Sequence, residues 1–313
     1  MLNYFFTAEN GTRMRYSGLI LSALLVVLSM FTLADKGLNL GLDFSGGYLT
    51  EFSTSQPVEL KRLEAFIAKN HDGDFVLTAL GNNHFQLTEA PNANQPATTA
   101  AADWQTAISE NDTINALVLS SAYIGSQVGD ELFEQGCLAL FAAMITVMIY
   151  LAIRFEWRLA VGSVIALIHD LILVLGLFSL LQLEFNLTVL ASLLAIIGYS
   201  LNDSIIVGDR VRELLRIKTN SSVCVDSIIN SAIKSTLTRT LITSGTTLAT
   251  VASVWLLAGA PLQGFSIALF SGIVVGTFSS ICIAATLPQL LGLSAANYQV
   301  TVDAKTQALM DMP

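Results

Sequence analysis

Charged residues are scarce in this chain, where Asp, Glu, Lys and Arg together make up 12% of the 313 residues. Soluble globular domains carry about 25%. Hydrophobic residues make up 53% of the chain, and its mean hydropathy is +0.63. These values exclude an ordinary soluble protein and predict a polytopic α-helical membrane protein.

Cysteine and histidine are equally rare, with three residues of each type. Cys137, Cys224 and Cys282 lie near the start of an apolar run, in a polar loop and in the last apolar run, which excludes a disulfide framework. The histidines are too scattered for a metal site. We therefore expect no metal, no cofactor and no hydrolytic chemistry.

The sequence also lacks a basic stripe. Residues 35–136 contain four Lys or Arg and fourteen Asp or Glu, whereas the remaining 211 residues contain eleven and ten. The acidity thus belongs to one soluble insert, which would repel phosphate backbones. We expect no nucleic-acid partner.

Six apolar runs reach the roughly 20 residues that a helix needs to cross a bilayer. They lie at 16–34, 136–153, 159–180, 186–208, 240–258 and 264–288. The predicted organisation is an N-terminal segment (1–15), a first transmembrane helix (16–34), a small α+β domain (35–135), a five-helix bundle (136–288) with an amphipathic loop (209–239), and a tail (289–313).

The distribution of Lys and Arg between the loops predicts the orientation. The short loops 181–185 and 259–263 contain neither residue, whereas the loops on the other side are basic. Basic loops stay in the cytoplasm. The termini and the amphipathic loop are therefore predicted to be cytoplasmic, and the 35–135 domain is predicted to be periplasmic.

The insert shows a mixed pattern of strand and helix. The pattern predicts a strand, a helix and a hairpin, at Gly47–Ser53, Val58–Lys69, and Phe75–Leu80 with His84–Thr88. Residues 90–102 have the composition of a linker, and residues 104–124 fit either helix or strand.

A tight turn is predicted before the first strand, at Asp43, Gly46 and Gly47. Glycine permits the positive φ angles that such turns use. We expect the turn to have a structural role, in which it fixes the pose of the insert relative to the first span.

Three charged side chains interrupt the apolar runs: Asp170 in the third, Asp203 in the fourth and Arg239 at the start of the fifth. A carboxylate at bilayer depth costs roughly 2.5–3.5 kcal/mol, so it normally has a partner or a function. Asp203 and Arg239 approach from the same membrane boundary. We predict that they pair and form an ion path with neighbouring Asn202, in which ion binding at Asp203 releases Arg239.

Asp170 directly follows His169, and two interpretations of it are equally supported. Its carboxyl group either takes part in a structural hydrogen bond between helices or belongs to the ion path. His169 is predicted to be its polar neighbour rather than a metal ligand.

Small and hydroxyl-bearing residues mark the last two apolar runs. Gly272 and Gly276 permit the close approach of another helix. Four threonines share one face of the fifth run, where they either line a hydrated path or hold helices together: Thr243, Thr246, Thr247 and Thr250.

The segment before the fifth run is amphipathic. Apolar residues recur at helical spacing from Val225 to Leu237, and basic residues precede them at Arg210–Lys218. This pattern predicts a helix at the cytoplasmic membrane surface.

In order and spacing, these motifs resemble the SecF subunits of the SecD/SecF family, within the resistance-nodulation-division superfamily. The resemblance covers nearly the whole chain. The matching segments are Gly41–Gly47, Ile153–Arg158, His169–Asp170, Ile196–Asp203 with its Gly198, Asp209–Glu213 and Thr238–Thr240.

The resemblance implies a subunit of the bacterial inner membrane that pairs with SecD, works beside the SecYEG channel and draws unfolded secretory polypeptides outward. It implies that ion flow supplies the energy, with protons as the coupling ion and sodium as the alternative. It also maps the aspartate and arginine of the family's ion path onto Asp203 and Arg239.

Three other interpretations are open. Half of a small-molecule or lipid exporter of the same superfamily is disfavoured, because such exporters usually hold two six-span halves in one chain. An aspartyl protease dyad of Asp170 and Asp203 is disfavoured, because the Tyr-Asp and Gly-x-Gly-Asp motifs are missing. An assembly scaffold without ion flux predicts that Asp203→Asn and Arg239→Met variants stay active.

Overall fold

The structure is a computed structural model that describes residues 8–70, 75–81, 83–89, 114–217 and 224–294. Its first helix, α1, spans Ala8–Lys36 and extends beyond the predicted 16–34 at both ends. Large apolar side chains such as Leu24, Val27 and Phe31 stay exposed on α1. Such a surface is suited to lipid rather than to water.

The domain after α1 contains short helices and five strands: β1 (Asn39–Leu40), α2 (Leu42–Ser45), β2 (Gly47–Thr54), α3 (Leu60–Asn70), β3 (Phe75–Ala79), β4 (His84–Glu89) and β5 (Ala116–Ile124). Four of the strands form an antiparallel sheet in the order β3-β4-β2-β5. Helix α3 covers this sheet, because Leu63 and Ile67 pack against Phe52, Phe85 and Leu87 in one buried cluster.

The predicted small α+β domain is therefore confirmed, together with its first strand, helix and hairpin. Of the stretch 104–124, which fitted either helix or strand, the part from Ala116 onward is a strand that pairs with β2. The predicted linker at 90–102 lies outside the described residues.

The rest of the chain is almost entirely helical. Its elements are α4 (Ser126–Arg154), α5 (Trp157–Leu181), the short strand β6 (Glu184–Phe185), α6 (Leu187–Ile217), α7 (Val225–Leu257), a 3₁₀ turn (Ala260–Leu262), α8 (Gln263–Ser279), a π-helical turn (Ser280–Ala284) and α9 (Leu287–Leu290). Together with α1 they give the six predicted spans, judged by length and composition. Helix α6 is central, since it contacts α4, α5, α7 and α8.

The prediction that residues 209–239 form a loop is wrong, because most of this segment is helical. Helix α6 continues to Ile217, and α7 begins at Val225, so the amphipathic segment and the fifth span form one helix. Ile228, Ile229 and Ile233 are at most 1% exposed and pack against α4, α5 and α6. Periodicity correctly predicted the helix, but its apolar face covers protein rather than a membrane surface.

The ends of two other spans also differ from the prediction. Helix α4 begins at Ser126, ten residues before the apolar run, because its first turns are helical but carry acidic residues such as Asp130 and Glu134. The last span is interrupted by the π-helical turn at Ser280–Ala284. Hydropathy reports the apolar part of a helix and not its full length.

A short connection joins the α+β domain to the bundle. Strand β1 pairs in parallel with β6, and Gly46 and Gly47 adopt positive φ angles of 70° and 135°. A Cβ atom on Gly46 would lie 2.8 Å from the Cα atom of Ser126. The structure thus contains the predicted glycine turn, which lies against the beginnings of α4 and α6.

Candidate functional site

Asp203 lies on α6 and faces the protein interior, where it is 2% exposed. Its Oδ2 atom accepts a hydrogen bond of 3.4 Å from the hydroxyl of Ser244 on α7. Its Oδ1 atom has no hydrogen-bond partner among the described residues. Because an unpaired oxygen of a buried carboxylate is costly, this atom is where a proton or a cation would be most stabilising.

Ser244 connects Asp203 to the last span. The hydroxyl oxygens of Ser244 and Thr277, which lies on α8, are 2.8 Å apart. Thr240, one turn before Ser244 on α7, is 2% exposed, and its hydroxyl oxygen has no partner in the described part of the chain. A row of polar groups therefore runs through the interface of α6, α7 and α8.

Arg239 precedes Thr240 on α7 and is exposed. Its charge attracts the Asp203 carboxyl group, yet the described residues include no direct ion pair between the two. The predicted contact is therefore not made in this conformation. Ser244 makes the contact instead, because it lies further along α7 and is buried in the interface.

Asn202 and Gly198 lie on an exposed face of α6. Asn202 makes no hydrogen bond through its side chain to any described residue, and a Cβ atom on Gly198 would meet nothing within 4 Å. Neither residue joins the polar row around Asp203, although Asn202 directly precedes Asp203 and Gly198 lies five residues before it. They mark instead a part of α6 that this chain leaves uncovered.

Asp170 on α5 is fully buried and has a more complete set of partners. Its Oδ2 atom accepts hydrogen bonds from Ser200 on α6 at 2.5 Å and from Ser279 on α8 at 2.9 Å. The Nδ1 atom of His169 lies 2.9 Å from Oδ1. Hydrogen bonding between helices, one of the two predicted interpretations, is therefore observed, and His169 is the predicted polar neighbour.

The glycines of α8 bring α6 close enough for these contacts. A Cβ atom on Gly276 would lie 3.1 Å from the Cβ of Ser200 and 3.4 Å from Oδ2 of Asp170. A Cβ atom on Gly272 would overlap the side chain of Ile196. The predicted close helix approach is thus the α6–α8 contact, and it brings Ser200 and Ser279 to the carboxyl group of Asp170.

Sequence reasoning missed the hydroxyl partners of the two aspartates. Ser200 precedes Asp203 by three residues, so both side chains point to the same side of α6. Thr277 and Ser279 stand together near the end of α8, just before the π-helical turn. Ser200, one turn before Asp203, was the available signal, but serine and threonine are common in membrane helices.

A second polar cluster, around Arg15 on α1, was also missed. Arg15 is fully buried and forms an ion pair of 2.7 Å with Asp226 at the start of α7. It also donates hydrogen bonds to Asn230, at 3.0 Å, and to Gln289, at 3.3 Å. Arg15 thus ties α1, α7 and α9 together.

The partners of the two aspartates suit reversible ion binding. A serine hydroxyl donates to an ionised carboxylate and accepts from a protonated one, so it tolerates both states. Asp170 and Asp203 have no hydrogen-bond partner in common within the described residues. They therefore do not form the dyad sharing one proton that an aspartyl protease needs.

Comparison with known proteins gives the same result as the motifs. Residues 104–293 match the family described as "Protein export membrane protein SecD/SecF, C-terminal", and residues 31–58 match the "SecD/SecF GG Motif". The Protein translocase subunit SecF of Vibrio alginolyticus is 40% identical over 90% of this chain and 89% of its own length. The chain belongs to the SecF family of protein translocase subunits.

A second SecF relative, from Escherichia coli O157:H7, is 39% identical over 88% of this chain and 84% of its own length. The crystal structure of SecDF from Thermus thermophilus, described as a translocon-associated membrane protein, is similar with a TM-score of 0.77 and 30% identity over 90% of this chain. This chain spans 38% of that SecDF chain. Membership of the family makes the protein a multi-pass membrane subunit of the Sec export machinery.

Proposed function

We propose that the chain is an ion-gradient-driven subunit that acts with SecD, beside the SecYEG channel, to promote late steps in the translocation of unfolded secretory polypeptides. The observation that carries this proposal is the buried carboxyl group of Asp203. Among the described residues it has a single hydroxyl donor and one oxygen without a partner, and a cation, Arg239, acts on it from the neighbouring helix.

Ion binding at Asp203 would change the force between α6 and α7. While Asp203 is ionised, Arg239 attracts it, whereas a bound proton or sodium ion removes most of that attraction. Helix α7 is then free to shift against α6. Because α6 also contacts α4, α5 and α8, such a shift reaches most of the bundle and the domain attached to it.

SecD is the partner that this arrangement requires. Helix α7 carries Arg239, and its face around Arg239, Ile242 and Thr246 is exposed in the single chain. Asn202 and Gly198 of α6 are exposed too. An arginine and an asparagine facing lipid would be costly, so a second protein half should cover them. The similarity to SecDF, in which this chain corresponds to 38% of the length, supports that half being SecD.

The setting is the bacterial inner membrane, with both termini in the cytoplasm and the α+β domain in the periplasm. The support for this orientation is the lack of Lys and Arg in loops 181–185 and 259–263. The coupling ion is a proton, and sodium is the alternative that the same oxygen ligands would accept.

The test is export of a secretory protein into inverted membrane vesicles that contain the assembled complex, with and without an imposed proton or sodium gradient. Asp203→Asn cannot change its charge, so its export rate is expected to equal the rate without a gradient. The matched control is Asp209→Asn on the same helix, where Asp209 pairs with Arg154 at the surface. The control should keep the stimulation by the gradient.

The two gradients identify the ion, because only the coupling ion stimulates the unmodified protein. Gradient stimulation that persists in Asp203→Asn would instead favour the scaffold without ion flux, and the proposal would be abandoned. Protein amounts in the vesicles are measured in each case, so that a loss of assembly is not mistaken for a loss of coupling.

A further inference from the structure

The glycine turn before β2 contains a carboxylate that reaches the helix of the ion site. Asp43 lies on the short helix α2, and its Oδ2 atom accepts a hydrogen bond of 2.9 Å from the backbone N–H of Leu187. Leu187 is the first residue of α6. The two residues are 144 positions apart in sequence, so this bond joins two separate parts of the molecule.

The beginning of a helix is where a carboxylate binds most favourably. The first N–H groups of a helix have no partner within it, and the helix dipole makes that end positive. Asn186 caps α6 from within its own segment, because its Oδ1 atom accepts from the N–H of Val189 at 3.1 Å. Asp43 therefore satisfies a further N–H group of α6, and it does so from the α+β domain.

Neighbouring contacts hold Asp43 in place. Strand β1 pairs with β6 directly before α6, and the N–H of Gly41 donates to the carbonyl of Phe185 at 2.8 Å. Phe44, which is 3% exposed, stacks on Phe185 with 5.8 Å between ring centroids and meets Phe133 of α4 edge-on at 5.4 Å. The turn is thus held against the start of α6 and against α4 by several contacts.

Helix α6 connects this attachment to the ion site. Asp203 lies sixteen residues after Leu187 on the same helix, which corresponds to about 24 Å along the axis. The described part of α6 has no proline and forms one continuous helix from Leu187 to Ile217. A displacement of α6 at Asp203 therefore reaches Asp43 directly, since a continuous helix moves largely as one body.

We propose that Asp43 is a positioning residue for ion-driven export, which couples α6 to the α+β domain through the start of that helix. This inference rests on the function proposed above. Asp43 does not contact the ion. Its carboxylate instead keeps the α+β domain in register with the helix that carries Asp203.

The test measures how strongly an ion gradient stimulates export, in the vesicles described above and relative to the rate without a gradient. Asp43→Ala removes the acceptor, and the stimulated part of the rate is expected to fall by about fivefold or more. Asp43→Asn keeps an oxygen that accepts from Leu187, so it should retain most of the stimulation. Asn186→Ala is the matched control, because it weakens the same helix end without detaching the domain.

The comparison of variants decides between coupling and simple stability. Equal losses in Asp43→Ala and Asn186→Ala would show that only the capping of α6 matters and would overturn the inference. So would an Asp43→Asn variant as defective as Asp43→Ala. If Asp43→Ala fails to accumulate, Asp43→Asn is compared with the unmodified protein and with Asn186→Ala, and complete loss of the stimulation in Asp43→Asn overturns the inference.

The same measurements separate this inference from the proposed function. If the unmodified protein shows no stimulation, or if Asp203→Asn keeps it, the proposed function is wrong. If those two behave as expected while Asp43→Ala is stimulated normally, only the inference about Asp43 is wrong. Adding Asp43→Ala to Asp203→Asn should lower export no further, because both changes interrupt one process.

Discussion

The buried charged side chains of the bundle differ in how completely they are paired. Arg15 has an ion pair and several hydrogen bonds, and Asp170 has three polar contacts. Within the part of the chain that the structure describes, Asp203 has one hydrogen bond, of 3.4 Å. Complete pairing stabilises one conformation, whereas incomplete pairing leaves a group ready to bind something else. Of these three residues, Asp203 is the one suited to binding and releasing an ion.

Arg15 should accordingly matter for stability. Arg15→Ala leaves Asp226 without its buried partner and also removes the donors to Asn230 and Gln289. Because Asp226 is 30% exposed, the expected loss is smaller than the about 3–5 kcal/mol for breaking a fully buried ion pair on one side. We expect a variant that unfolds at clearly lower temperature in detergent, as measured by the accessibility of Cys282, which is buried in the intact fold.

Arg13, which is exposed on the same helix two residues earlier, provides the control. Arg13→Ala should unfold at nearly the temperature of the unmodified protein. Arg15→Lys should not restore stability, because a single ammonium group cannot reproduce the several directed N–H donors of the guanidinium. Equal unfolding temperatures for Arg15→Ala and Arg13→Ala would contradict this account of the cluster.

At the residue scale, the sequence identified which charged residues lie within the spans better than it identified the side chains that they contact. Asp170, Asp203 and Arg239 stood out because charge is costly within apolar runs. Their contacts depend on how each helix is rotated about its axis, which hydropathy does not report. For this reason Ser244, rather than Arg239, is found against Asp203.

At the scale of elements, small residues decide which helices touch. Gly176 of α5 faces Ser29 of α1 so closely that a Cβ atom would overlap the serine side chain and lie 2.8 Å from its Cα atom. The hydroxyl of Ser179, also on α5, donates to the carbonyl of Thr32 at 2.8 Å. In lipid, such close backbone contact replaces the hydrophobic effect as the source of helix association.

Gly176→Ala should therefore separate α1 from α5. The obstructing atoms include the backbone of α1, which cannot rotate away as a flexible side chain does. Overpacking of this kind costs about 1–3 kcal/mol, and we expect a corresponding drop in the free energy of unfolding in detergent and urea.

Gly245→Ala on α7 is the matched control, because a Cβ atom there would meet nothing within 4 Å. Alanine favours helix over glycine by up to about 1 kcal/mol, so this variant should be as stable as the unmodified protein or slightly more stable. A Gly176→Ala variant with unchanged stability would mean that α1 and α5 are not packed as closely as described.

The elements themselves were largely predictable. Six apolar runs correctly predicted six spans, and period-two alternation correctly predicted strand β2 and the hairpin of β3 and β4. Both patterns reflect the burial of side chains within one element. The pairing of β1 with β6 was not predictable, since two-residue strands whose paired residues are 145 positions apart leave no periodic signal. The π-helical turn at Ser280–Ala284 was missed for the same reason.

At the scale of the whole molecule, the α+β domain and the bundle meet at an acidic junction. Glu184 lies beside the turn, close enough that a Cβ atom on Gly41 would come within 2.5 Å of its Oε1 atom. Desolvation raises the pKa of Glu184 above its ordinary value of 4.5, and the nearby charge of Asp43 raises this pKa further, while a backbone hydrogen bond from Leu42 opposes the shift. Two carboxylates thus face each other where the domain is attached.

This junction should make the stability of the protein depend on pH. The pKa of Glu184 is higher in the folded state than in the unfolded state, so the folded protein binds this proton more tightly. The resulting contribution to stability is fully present below pH 4.5 and is lost as the pH rises through the folded pKa. Glu184→Gln resembles the protonated form. We expect it to unfold at a higher temperature than the unmodified protein at neutral pH, and at a similar temperature in acid.

Glu64→Gln, on the exposed side of α3, serves as the control and should change neither unfolding temperature. A Glu184→Gln variant that is equally stabilised at both pH values would show that the two carboxylates do not repel each other at the junction.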